Sequence, residues 1–309
     1  MRKKTVEEMN LSALMLGTAQ FGLKYGLANK AGQPSYETAR DIIACAYGGG
    51  VNCLDTAGGY GTSEEVIGRA LAELGLRDKM TVVTKASAVK PGATVQNTEA
   101  HLEEQVHRSL KRLGLERLAI CLLHAEGEYC FIESLLKLRD KGLIGHVGLS
   151  VITVEATLTI MQSDLAEAFQ IPLNVLDRRF TSSDVPGKAK DKGIAVFARS
   201  GYLQGLVVMA ERDILPELAE VIPTRRKLEK IASEAGMSMA ELAIRYVLSI
   251  RGIRSAVVGV ETIEQMRENI ALYAKGPLSG EVMSAIDTAV PHFPAWVVHP
   301  RLWSTAHNR

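Results

Sequence analysis

Eight short apolar segments, at residues 14–17, 51–55, 80–85, 118–124, 145–150, 168–173, 193–200 and 255–260, recur along this chain with helical patterns between nearly all of them. Strands joined through helices pair in parallel, because a parallel neighbour needs a crossover connection. The intervening apolar residues keep helical spacing: Ile42, Ile43 and Ala46, then Val66, Ile67, Ala70, Leu71 and Leu74, then Leu102, Val106, Leu110 and Leu113. Ile132, Leu135, Leu136 and Leu138 continue it, followed by residues 154–161, 225–235 and 239–250, and by Ile263, Met266 and Ile270. Between the sixth and seventh segments the pattern loosens around Ser182, Ser183 and Pro186. No linker or charge run divides the chain. The expected fold is α/β, one (β/α)8 TIM barrel filling residues 1–309 as a single domain, with a helical tail from about residue 281.

Composition supports that economy. Hydrophobic residues make up 47% and aromatics only 5%, which supplies the aliphatic material that buried parallel strands use. Lys plus Arg number 36 against 35 Asp plus Glu, a net charge of +1 without a basic tract, so no nucleic-acid footprint is expected. The four cysteines show no C-x-x-C spacing and read as reduced residues. After Met1-Arg2-Lys3-Lys4 the charged Glu7 and Glu8 stand where a signal peptide would be apolar, and the run 118–123 is far short of a membrane span of ~20 residues. A cytoplasmic protein that works on small molecules, away from membranes, is expected; oligomeric state is left open.

In a parallel barrel, the carboxyl ends of the strands and the loops after them face the mouth. Those positions hold Asp55, Tyr60, Lys85, His124, Ser150, Gln170 with Asn174, and Arg199. Thr62-Ser63-Glu64-Glu65 then reads as a capped helix start. A lysine at the end of an apolar strand needs a counter-charge, and Asp55 is one strand away. A cation near Tyr60 would lower the phenol from ~10, and His124 could orient a substrate oxygen. Taken singly, Asp55 with Lys85 could be a structural ion pair, and His124 a core histidine. Together they suit proton delivery to a carbonyl as hydride arrives. A metal-dependent hydrolase lacks its ligands here, since neither His-x-His at a strand end nor H-E-x-x-H occurs.

These residues resemble the aldo-keto reductase superfamily from Leu14 to about Ala271. The similarity rests on Leu16-Gly17-Thr18, Leu54-Asp55-Thr56-Ala57 with Tyr60-Gly61, Thr84-Lys85, Leu122-Leu123-His124, Gly148-Leu149-Ser150, Gln170 with Asn174, Gln204-Gly205-Leu206, and Glu268-Asn269. It implies that Tyr60 is the general acid, that Lys85 and Asp55 tune it, and that His124 positions the carbonyl. It also implies a nicotinamide cofactor, NAD(H) or NADP(H), with Ser150, Gln170 and Asn174 on its carboxamide side. Further contacts are implied for Arg199, Ser200 and Gln204, and for Gly259, Glu261, Gln265, Glu268 and Asn269 near the adenosine phosphates. The substrate would be a small aldehyde or ketone, sugar-like among the options. The superfamily also contains redox-sensing barrel subunits, which gives an alternative reading with little turnover.

Three departures stand out. Val151 replaces a common asparagine after the serine. Arg199 stands where relatives stack an aromatic on the nicotinamide, and its charge would favour an anionic substrate or phosphate. Glu261 and Gln265 lie where NADP-preferring relatives carry positive or hydroxyl groups, which favours NAD, with Arg254 or Arg267 as the other candidates for a phosphate contact. Trp296 and Trp303 are candidates to line the pocket.

Overall fold

The computed structural model describes residues 5–86 and 95–303; the basic start at residues 1–4 lies outside them. Eight parallel strands close in sequence order: β1 (Leu14–Gly17), β2 (Cys53–Asp55), β3 (Thr81–Ala86), β4 (Leu118–Leu123), β5 (Ile144–Ser150), β6 (Ala168–Pro172), β7 (Ala195–Arg199) and β8 (Ile253–Gly259). Leu14 to Gly17 of β1 sit in register with Ala256 to Gly259 of β8, which completes the ring.

The helices follow from caps and apolar stripes. Ser35 accepts a hydrogen bond from the Thr38 amide and starts α1 (Tyr36–Gly48), whose Ala39, Ile42, Ile43 and Ala46 are buried at spacings of one helical face. Then come α2 (Ser63–Glu73), α3 (Val95–Leu113), α4 (Ile132–Asp140) and α5 (Val154–Met161). Thr62 does not cap α2; its hydroxyl accepts from Gln33 Nε2 at 3.2 Å. In the stretch where the sequence pattern loosens, two short helices form, α6 (Arg179–Ser182) and α7 (Val185–Asp191), the second opened by Pro186, a residue suited to a first helical turn. They are followed by α8 (Ile222–Glu234), α9 (Met239–Ser249), α10 (Ile263–Ala274), α11 (Gly280–Ala289) and α12 (Ala295–Val298). Among the described residues no helix is long and apolar enough to cross a membrane.

Two apolar layers result. One lies between strands and helices; the other fills the barrel with Met15, Cys53, Val83, Ile120, Leu122, Ala168, Ala195, Phe197 and Val257, floored by Val6 and Leu11 from the N-terminal segment. Strand side chains alternate with period two, so the next inward position after each of these lies nearer the mouth. Those next positions are Asp55 after Cys53, Lys85 after Val83, His124 after Leu122, Gln170 after Ala168 and Arg199 after Phe197. The same alternation that buries the barrel core therefore collects the polar residues at one end.

Candidate active site

Lys85 Nζ lies 2.7 Å from Asp55 Oδ1 and 2.8 Å from the Thr56 carbonyl. Gln170 Nε2 donates to the same carboxylate oxygen at 2.7 Å, and all three side chains are buried. Lys85 Nζ is also 5.0 Å from the centroid of the Tyr60 ring, and the edge-to-face contact of Tyr60 with His124 has centroids 5.7 Å apart. These five residues come from four strand ends and one loop.

That loop is fixed by short-range bonding. Thr18 donates through its backbone amide and its hydroxyl to the Asp55 carbonyl, at 2.9 and 2.8 Å, and Ser63 Oγ donates to the Thr18 carbonyl at 2.8 Å. Gly58 donates to the Lys85 carbonyl at 3.1 Å, tying the turn before Tyr60 to β3. Behind it, buried Glu64 of α2 accepts from Thr84 Oγ1 at 2.7 Å and pairs with Arg112 of α3 at 3.3 Å. Nothing in the sequence pattern marks this support, because Glu64 reads there as a favourable first-turn acid.

Electrostatics assign the protonation states. Burial pulls the Lys85 ammonium down, but Asp55 and Tyr60 outweigh it and hold its pKa above the ordinary value. Loss of water around Tyr60 pushes its phenol above the usual value, and Lys85 only partly offsets this. The lowering expected from the sequence is thus reversed: the Lys85 charge is shared with Asp55, while desolvation acts on the tyrosinate in full. Burial, with Lys85, Arg301 and Arg199 adding to it, drops His124 to about 3, so its imidazole is neutral at physiological pH.

A cleft of about 310 Å³ leads from Asp55 and Tyr60 to Glu261, Gln265, Glu268 and Asn269. Its walls include Gln20 and Tyr25 after β1, and residues 199–205 after β7, among them Arg199, Ser200 and Gln204. Ser200, Leu203 and Gln204 all have positive φ without being glycine, a concentration of backbone strain of the kind found where a loop must present its groups to a ligand. At the far end Thr262 Oγ1 caps α10, Gln265 Oε1 accepts from the Glu261 amide at 2.7 Å, and Tyr202 donates to Asn269 Oδ1 at 2.5 Å. Gly259 and Glu261 flank Val260 on this wall. Gln20, Tyr25 and Tyr202 were not singled out by sequence; only the closing of β1 against β8 brings the first two here.

Ser150 and Gln170 are paired in register at the mouth ends of β5 and β6, and Gln170 Oε1 is buried without a partner among the described residues. Other expected residues lie elsewhere. Asn174 does not line the cleft: its Oδ1 accepts from the Leu176 and Asp177 amides at 2.9 and 3.0 Å, closing a turn after β6. Trp303 is buried against its own segment, donating to the Val297 carbonyl at 3.1 Å, and Trp296 is exposed; neither lines the cleft. Arg254 donates to the Met9 and Leu11 carbonyls at 2.8 and 2.7 Å, at the opposite end of the barrel, and Arg267 is likewise outside the cleft. Among the described residues no group of three or more His, Cys, Asp or Glu is arranged to hold a metal.

A sequence model of the Aldo/keto reductase family matches residues 13–291. The chain belongs to the aldo/keto reductase family. It is similar to an L-glyceraldehyde 3-phosphate reductase of Escherichia coli O157:H7, 27% identical with 89% of each chain covered. It is also similar to an NADH-specific methylglyoxal reductase of Escherichia coli K12, 25% identical over 85% of this chain and 90% of that one. In structure it superposes on an aldo-keto reductase from Bacillus halodurans in its holo form, with a TM-score of 0.77 and 22% identity, covering 94% of this chain and 96% of that one. This aldo/keto reductase is an oxidoreductase that interconverts a carbonyl and an alcohol with a nicotinamide cofactor.

Proposed function

We propose that Tyr60 delivers the proton to the carbonyl oxygen, that Lys85 and Asp55 carry the charge change, and that neutral His124 helps place the substrate. The observation that carries this reading is the Asp55–Lys85 pair, 2.7 Å apart, beside the Tyr60 ring. When bound, a reduced nicotinamide supplies the hydride. With its raised pKa, Tyr60 keeps its proton through the neutral range, as an acid that must give one up requires. As the proton leaves, negative charge grows on the phenol oxygen near the Lys85 cation, and Asp55 and Gln170 keep that cation in place. His124, being neutral, retains a ring N–H to donate to the same carbonyl oxygen.

The cleft fits such a cofactor. Gln170 Oε1 needs a donor, which a carboxamide would provide, and the α10 N-terminus and strained residues 200–204 suit phosphates. Ser150, Ser200, Gln204, Gly259, Glu268 and Asn269 are the further contacts we propose. Among the described residues no lysine or arginine lines the Glu261 end, where Glu261 and Glu268 both stand, and this favours NAD(H) over NADP(H). The relative named as NADH-specific agrees with that preference. Four cysteines without a disulfide support action in the reducing cytoplasm, on small carbonyl compounds. The reading is tested by fluorescence titration with NADH and NADPH, followed by a carbonyl panel at saturating cofactor. Saturable binding with turnover supports it; binding without turnover of any carbonyl would favour a regulatory subunit.

A further inference from the structure

On the outer wall of the barrel, α2 and α3 flank a cavity of about 610 Å³ that shares no lining residue with the cleft. Five of the side chains around it are cations, Arg69, Arg77, Arg108, Lys111 and Arg112, against the single carboxylate of Glu65. Gly68 lets the two helices touch there, since a Cβ on it would lie 2.2 Å from the Arg112 carbonyl oxygen. Among the described residues no aliphatic or aromatic side chain lines the cavity, so a ligand is held by its charge and its oxygens.

Three of the five cations are engaged by neighbours: Arg69 with Glu73 at 3.0 Å, Arg108 with Glu104, and Arg112 with Glu64 at 3.3 Å. Arg77 and Lys111 are exposed and have neither an ion pair nor a hydrogen bond among the described residues. Arg77 rests on the end of α3, where a Cβ on Gly114 would lie 2.9 Å from its Nη2. The helix dipole favours one cation at that end and does not explain five. Like charges gathered in one hollow repel, and a bound anion relieves that cost.

Arg112 connects this wall to the mouth. Half-buried, it donates through Nη1 to Glu64 Oε2 and to the Gly58 carbonyl, both at 3.3 Å, the long end of hydrogen bonding. The Gly58 amide donates to the Lys85 carbonyl at 3.1 Å, and the same turn carries Tyr60, whose amide donates to the Ala57 carbonyl at 3.0 Å. An anion within reach of Arg112 competes for its guanidinium. The neutral Gly58 carbonyl is a weaker acceptor than the Glu64 carboxylate, so the Gly58 contact is the one given up.

We propose that this cavity binds a compact polyanion of the pyrophosphate class, and that the bound anion draws Arg112 off Gly58 and loosens the loop that holds Tyr60. Two linked phosphoryl groups can meet several of these cations at once, with the arginine forks taking oxygens in pairs. The expected slowing of turnover rests on the proton-delivery role proposed for Tyr60; the site and the loop response do not.

Calorimetry with pyrophosphate on the NADH-saturated protein, which keeps the cofactor's own phosphate sites filled, tests the site, with sodium chloride of equal ionic strength as the control. Wild type is expected to bind it saturably. Arg77→Gln combined with Lys111→Gln should weaken binding by about tenfold or more, the order expected for lost charge-assisted hydrogen bonds. Lys111→Gln alone should show part of that loss, which separates binding from any effect of Arg77 on α3. Absence of saturable binding by wild type, or equal binding by wild type and the double variant, would overturn the proposal. Hydrogen exchange of residues 56–61 reads the link to the loop: it should quicken severalfold when pyrophosphate is added to wild type and stay unchanged in the double variant. Binding that leaves this exchange unaltered would overturn the regulatory link. At saturating NADH and carbonyl, pyrophosphate should lower kcat severalfold. A loosened loop with unchanged kcat refutes the role given to Tyr60 and leaves the site standing.

Discussion

Gly61 sits so close to Gly22 that a Cβ on Gly61 would lie 2.2 Å from the Gly22 carbonyl oxygen, and a Cβ on Gly22 would lie 1.8 Å from the carbonyl of Tyr60. The loop after β1 and the loop carrying Tyr60 are in backbone contact, and the φ of +53° at Gly61 is one that glycine adopts without strain. Two glycines thereby hold Tyr60, the proposed proton donor, in place.

Gly22→Ala should accordingly separate the two loops. A stability loss of about 2 kcal/mol or more is expected, of the size seen when extra atoms enter a packed site, together with a fall in kcat from displaced Tyr60. Denaturant unfolding and turnover on the same preparation check it; a variant matching wild type in both would show that the loops part without consequence.

Lys85→Met removes the cation that opposes the raised pKa of Tyr60. With Tyr60 in its proposed role, alcohol oxidation needs the tyrosinate, so its rate should rise with pH toward the phenol pKa, which lies above ~10 here. Without Lys85 the rise should move to still higher pH and the rate at pH 9 should fall. Asp55 would also be left buried with only Gln170 as a side-chain donor, at a cost of about 3–5 kcal/mol. An unchanged pH profile in a folded variant would contradict the role given to Lys85.

His124 makes a prediction with a definite sign. Its folded pKa, about 3, lies below the ordinary 6.5, so the folded state disfavours the proton. Its contribution to stability is present above pH 6.5 and is lost as pH falls toward 3, by at most about 1.4 kcal/mol per pH unit. Urea midpoints of wild type and His124→Asn should converge as pH is lowered from 7 to 5. A constant gap between them would mean that the imidazole titrates alike in both states.

Much of this was readable from the chain, because inward residues of a barrel strand recur every second position. Asp55, Lys85, His124, Gln170 and Arg199 each end such a row, and alternation alone places them at one mouth. Burial is harder to read. The direction of the Tyr60 shift depends on how much water the folded loop excludes, and Glu64 becomes a buried support only because Thr84 and Arg112 converge on it. Asn174 spends its carbonyl oxygen on a local turn, a competition that short amides often win, while its Nδ2 is buried without a partner among the described residues. Helices α6 and α7 carry too few apolar residues to show a stripe.

Glu261 sets the cofactor prediction. Its carboxylate accepts from Gln20 Nε2 at 3.4 Å at the cleft edge, with Arg254 at the other end of the barrel. Facing a 2′-phosphate would cost about 1 kcal/mol at ~4 Å even in water, and tenfold discrimination needs only about 1.4 kcal/mol. NADH should bind at least as tightly as NADPH, and Glu261→Arg should improve NADPH binding by about tenfold. Calorimetry showing much tighter NADPH binding by wild type, unaffected by Glu261→Arg, would place the carboxylate in solvent.

The most direct test of the central claim is Tyr60→Phe, which removes one hydroxyl and keeps the ring against His124. Steady-state reduction of a carbonyl and equilibrium binding of NADH should be measured on the same protein. The account predicts a loss of kcat of about a hundredfold or more, in the range of general acid catalysis, with NADH affinity within a few-fold of wild type. Wild-type turnover by Tyr60→Phe would contradict it, and the proton would have to come from another group.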